Sequence, residues 1–86
     1  MTALEELLLA AEALAEAVDD YRDLAQCSAP ERADFDSDEE FLVAVECYED
    51  DCRDAAARLC RALRDYRWAQ QRELSQRVIR SLAPSA

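Results

Sequence analysis

The chain has 86 residues, with twenty Asp and Glu against ten basic side chains, a formal net charge of -10, two Pro, and no Gly or His. A chain this short folds as one domain, 1–86, around a thin core. Without Gly the positive-φ positions of tight hairpins have no natural occupant, so the composition excludes hairpin-rich β architectures and predicts an all-α protein.

The average charge hides a division. Residues 1–51 hold seventeen Asp and Glu against Arg22 and Arg32, whereas residues 52–86 hold eight Arg against Asp54, Asp65 and Glu73. Opposed blocks of this kind favour an antiparallel fold-back of the acidic front on the basic rear. At the N-terminus, Met1 to Glu6 carries no basic stretch, and the apolar run from Leu7 to Ala11 is shorter than a signal sequence or a spanning helix requires. A cytoplasmic protein with no membrane partner is expected.

The first predicted element is a helix over 3–26. Leu4, Leu7, Ala11, Leu14, Val18, Tyr21 and Ala25 step by three and four, a seam over three heptads. Leu8, Ala10, Ala15, Ala17 and Leu24 widen the stripe on both flanks, so the helix calls for more than one neighbour, while Glu5, Glu12, Glu16, Asp19 and Asp23 cover its back. Leu9 falls on the polar side.

A turn is predicted over 27–36. Pro30 lacks the N–H that would continue the ladder and pushes Ala29 out of the helical region. Phe35 is the expected plug for the end of the core. Ser37-Asp38-Glu39-Glu40 then reads as a capping box with acidic residues at the positive end of the helix dipole.

The second predicted helix runs over 37–82, stopped by Pro84. Phe41, Val45, Tyr48, Cys52, Ala55, Leu59, Ala62 and Tyr66 repeat the heptad spacing. Beyond Tyr66 the apolar residues Leu74, Val78 and Leu82 occupy a new stripe, a phase slip that fits a bend or break near 66–72, a separate short third helix, or one helix serving two different neighbours. A turn that sets residue 25 against 39 would bring residue 4 near 60 and place Glu5, Glu6 and Glu12 beside Arg58, Arg61 and Arg53. The predicted fold is therefore an antiparallel helical hairpin with a long second helix, residues 3–26 against 37–62. The extension 63–82 would pack on a second copy in a homodimeric helical bundle.

The sequence offers no chemistry for catalysis. With no His the usual general base is missing, and with no Gly there is no phosphate-cradling loop. Cys27, Cys47, Cys52 and Cys60 show no C-x-x-C and no accompanying His, so they read as small semi-buried hydrophobes and not as zinc ligands or disulfides. Glu16-x-x-Asp19 and Glu46-x-x-Glu49 are loosely similar to the Mg²⁺ carboxylates of all-helical nucleotide pyrophosphohydrolases, but the later E-x-x-D of that family is missing. No enzyme activity, metal or cofactor is expected.

Binding is the better expectation. Arg64, Tyr66, Arg67, Trp68, Arg72, Leu74 and Val78 concentrate the residue types of protein interfaces, because Trp, Tyr and Arg combine large contact area with few lost rotamers or with forked donors. The acidic front has a second reading as a nucleic-acid mimic that blocks a basic groove, in the manner of anti-CRISPR or anti-restriction proteins. A structural subunit of a helical assembly is a third. Direct binding of nucleic acid is not expected, since Arg58, Arg61, Arg64 and Arg67 step around the helix and the net charge opposes the encounter.

All ten basic residues are Arg, the bias of a GC-rich bacterial or phage genome. An acidic Ala/Leu-rich helix, a Pro-containing turn and a longer Arg-rich helix, laid out over residues 3 to 82, resemble the small helical-hairpin early proteins of Pseudomonas-type phages. That resemblance implies a protein that dimerises and inhibits a bacterial host protein.

Overall fold

The computed structural model describes residues 1–82 as two antiparallel helices. Helix α1 spans Ala3–Gln26, helix α2 spans Asp38–Leu82, and one turn of 3₁₀ helix, Arg32–Asp34, interrupts the connection between them. Pro84, the expected stop of the second helix, lies outside the described residues. The rod measures 76 × 16 × 15 Å, and no helix among the described residues is long and apolar enough to cross a membrane.

Local chemistry accounts for the helix ends. Thr2 caps α1: its hydroxyl accepts the Glu5 N–H at 3.1 Å and donates to the Glu5 carboxylate at 3.1 Å, a tight cap that the heptad reading passed over. Ser37 caps α2 as expected, accepting the Glu40 N–H at 3.2 Å. At the other end of α1, Cys27 leaves the helix in extended geometry. The chain then runs back along the opening turns of α2. Arg32 is pinned there, donating to the Asp38 carboxylate and to the Phe35 carbonyl, each at 2.7 Å. The Phe35 ring settles 5.9 Å from that of Phe41, packing the connection on the first turn of α2 and not, as expected, closing the end of the seam between the two helices.

Because the connection lies alongside α2, the helices pair in a different register from the expected one. Glu6 meets Arg72 at 2.7 Å and Asp20 meets Arg58 at 3.5 Å, so facing residue numbers sum to 78 instead of 64. The difference is fourteen residues, two heptads, or about 21 Å along the axis. A slide by whole heptads leaves the seam in phase and changes which residues meet, so that α1 covers Ala62, Tyr66, Ala69 and Glu73 in place of Phe41 and Val45. Two expectations are corrected. The extension 63–82 does not await a second copy along its whole length, since the N-terminal half of α1 packs on it. Of the readings of the phase slip near 66–72, the break and the separate third helix are set aside, because α2 is one helix from Asp38 to Leu82.

The seam itself is rotated slightly from the expected line. On α1 the covered residues include Leu7, Ala11, Leu14 and Val18 of the expected seam together with Ala3, Ala10, Ala17 and Leu24, while Leu4, Tyr21 and Ala25 are exposed. On α2 the seam continues without a slip through Phe41, Val45, Tyr48, Cys52, Ala55, Leu59, Ala62, Tyr66, Ala69 and Glu73. Alanine dominates the closest approaches because small side chains let two helices interlock at short range. Among the described residues only Ala17, Ala55, Ala69 and Glu73 are buried, and no large side chain is fully so. Two helices meeting along one line cannot enclose a leucine; that takes a third neighbour.

Glu73 is the exception in chemistry. It occupies a seam position with its carboxylate held by Arg77 at 3.0 Å, one turn on, and by Arg80 at 3.8 Å. Both guanidinium groups reach out to solvent, which gives the covered charge partners without burying them.

Candidate protein-binding surface

In an antiparallel helix pair, residues just after a seam position fall on one lateral side of both helices, and residues just before it fall on the other. The two sides of this rod differ in chemistry. On the preceding side lie Glu6, Asp20, Arg58 and Arg72, which form both ion pairs between the helices. On the following side α1 presents Leu4, Leu8, Ala11, Ala15 and Val18, and α2 presents Ala56, Cys60, Leu63 and Leu74 with Arg53, Arg67 and Gln70 set among them. The register sets Leu4 level with Leu74 and Ala15 level with Leu63. All four of the leucines named are exposed.

The seven predicted contact residues do not share one face. Tyr66 is half-buried in the seam and belongs to the hairpin itself. Arg72 is engaged by Glu6 across the pair. Arg67, Leu74 and Val78 lean to the apolar side, and all three are exposed. Arg64 and Trp68 stand on the back of α2, where Trp68 is 63% exposed. One helical turn separates Trp68 from Arg64 behind it and from Arg72 ahead.

Beside the indole is a shallow hollow of about 220 Å³ lined by Trp68, Gln71, Arg72, Ser75 and Gln76. A second, of about 460 Å³, opens at the end of the rod between Met1, Thr2, Ala3 and Leu4 of one strand of chain and Arg72, Gln76 and Arg80 of the other. Arg72 and Gln76 border both. Sequence reasoning missed Gln76 and Arg80, because only the true register brings them beneath the start of α1. The exposed Trp beside Arg was the available signal, and it does mark this end.

The opposite end of the rod is acidic. Residues 16–59, which the hairpin gathers at the connection end, hold fifteen carboxylates against Arg22, Arg32, Arg53 and Arg58. The carboxylates considered for Mg²⁺ are not brought together: the register puts Glu16 and Asp19 level with Ala62 and Leu59, far along α2 from Glu46 and Glu49. Among the described residues no group of three or more Asp, Glu, Cys or His is placed to hold a metal ion. Near the connection the Tyr48 hydroxyl donates to the Cys27 carbonyl at 3.5 Å. Interaction with the Cys52 side chain, by hydrogen bonding and by the negative charge of its thiolate form, raises the pKa of the phenol above its ordinary value, with burial and Cys27 adding in the same direction. The four cysteines are free thiols.

No protein-family model, curated protein or solved structure matches this chain.

Proposed function

We propose that the chain is a non-enzymatic binding protein that works as a homodimeric helical bundle and occupies a site on another protein. The observation that supports this most is Trp68, 63% exposed and beside a hollow that Arg72 also lines. An indole left mostly in water contributes little to the hairpin, whereas a partner that covers it gains a large apolar area with little loss of rotamer freedom. The all-Arg composition and the acidic-front, basic-rear layout support a phage or mobile-element modulator whose partner is a bacterial host protein in the cytoplasm.

One observation favours a second reading. The acidic connection end of the rod offers carboxylates on several faces at once, as a mimic of a phosphate backbone would. The two readings separate on titration of the partner recovered by affinity capture from bacterial lysate. For the indole-anchored interface, Trp68→Ala weakens binding by tenfold or more while helicity and thermal unfolding stay unchanged, and raising salt from about 0.05 to about 0.5 M has little effect. A Trp68→Ala variant that binds normally, with affinity that collapses in salt, favours the mimic instead. Arg72 is the poorer site for this test, because its substitution also breaks the pair with Glu6.

A further inference from the structure

The apolar side of the rod is only partly covered within the hairpin: Ala11, Val18 and Ala56 are half-buried, while Leu4, Leu8, Leu63 and Leu74 are exposed. On α1, Leu4, Leu8, Ala11, Ala15 and Val18 step by four, three, four and three, a complete second seam beside the first. Coiled-coil spacing along one row needs one helix to cover it, and α2 already covers the other row. The small residues Ala11 and Ala15 at its centre allow that covering helix to come close. We propose that this side docks a second copy of the chain, with the two-fold axis running along the rod, so that α1 of each copy lies over α2 of the other. The proposal rests on the homodimer reading given above and specifies its geometry.

Charge selects this arrangement over its rival. A two-fold axis across the rod would stack α1 on its own copy, and α1 carries seven carboxylates against the single Arg22. An axis along the rod instead stacks acidic α1 on the Arg-rich rear of the partner's α2, and every neighbouring pair of helices in the bundle is then antiparallel. Rotation about that axis does not change height along the rod, so residues that are level within one hairpin are also level between copies. Glu12, at the outer edge of the apolar row, therefore lies within one residue of the level of the partner's Arg67, which stands in the facing row one heptad from Cys60 and from Leu74. Both residues are exposed in the single hairpin, so both are free to be substituted without disturbing its seam. The indole of Trp68 stays outside the bundle, on the back of α2.

Charge reversal tests the geometry by the sign of its effect, read as the dimer dissociation constant of the full chain in sedimentation equilibrium at low salt. Glu12→Arg and Arg67→Glu should each weaken the dimer by about fivefold, as expected of a partly exposed ion pair turned repulsive, and the double variant should recover most of the loss. If Glu12→Arg tightens the dimer, α1 stacks on α1 and the proposed axis is wrong, although the homodimer stands. A dimer unmoved by either reversal places the interface on another side and also overturns the proposal. A wild-type chain that stays monomeric throughout overturns the homodimer reading itself. Circular dichroism of each variant verifies that the helices are intact.

Discussion

Ala55→Leu should lower the stability of the hairpin by about 1–3 kcal/mol. Ala55 is 1% exposed, the most completely covered residue described, and it is covered by the close approach of α1 and not by large neighbours. A leucine there has no void to enter. It must leave its preferred rotamers or force the helices apart, and a forced separation also loosens Ala17 and Ala69 along the same seam. For a domain whose whole stability is of order 5–15 kcal/mol, the loss is large, and for this size it corresponds to a fall of roughly 10 °C in Tm. Ala57→Leu, two residues on and exposed, is the control and should leave Tm almost unchanged. Equal losses at 55 and 57 would mean that Ala55 does not lie at the contact.

Leu14→Ala should cost about 2 kcal/mol, the lower end of the range for a core leucine, because two helices cover it only in part. Leu9→Ala should cost far less, since Leu9 is exposed on the charged side of the rod. Chemical denaturation of the two variants gives the comparison directly. The gap between them measures the seam, and a Leu9 variant as unstable as the Leu14 variant would put the wrong face of α1 against α2.

Much of this architecture was legible in the residues. Heptad spacing located both helices, and Pro30 and Ser37 fixed the ends of the connection. The seam was read slightly off line for a physical reason. Large side chains dominate the apolar pattern and point to Leu4 and Tyr21, whereas a two-helix contact selects small ones and is tightest at Ala17. The same bias produces the apparent phase slip beyond Tyr66. Ala69 and Glu73 continue the seam, but neither stands out as apolar, and the eye moves to Leu74, Val78 and Leu82 on the outside of the helix.

The register was not legible from periodicity at all. A pattern that repeats every seven residues fits equally well after a slide of fourteen, and the alternation of acids and arginines repeats closely enough to support either choice. What decides is the connection. Its chain lies along α2 instead of turning tightly, held by Arg32 on Asp38 and by Tyr48 on Cys27, and no local sequence rule predicts that path. The candidate site inherits the consequence. Trp68 was recognisable by type, while the roles of Arg72 against Glu6 and of Tyr66 in the seam depend on which turn of α1 they meet.

The register is the claim on which the site, the apolar side and the proposed bundle all depend, and one nuclear Overhauser measurement tests it. Facing numbers that sum to 78 place Leu14 level with Arg64, within reach of the Tyr66 ring, whereas the tight-turn alternative places it level with Asp50, beside the Tyr48 ring. Cross-peaks from the Leu14 methyls to the Tyr66 ring, with none to the Tyr48 ring, are the predicted result. Cross-peaks to Tyr48 with none to Tyr66 would contradict it.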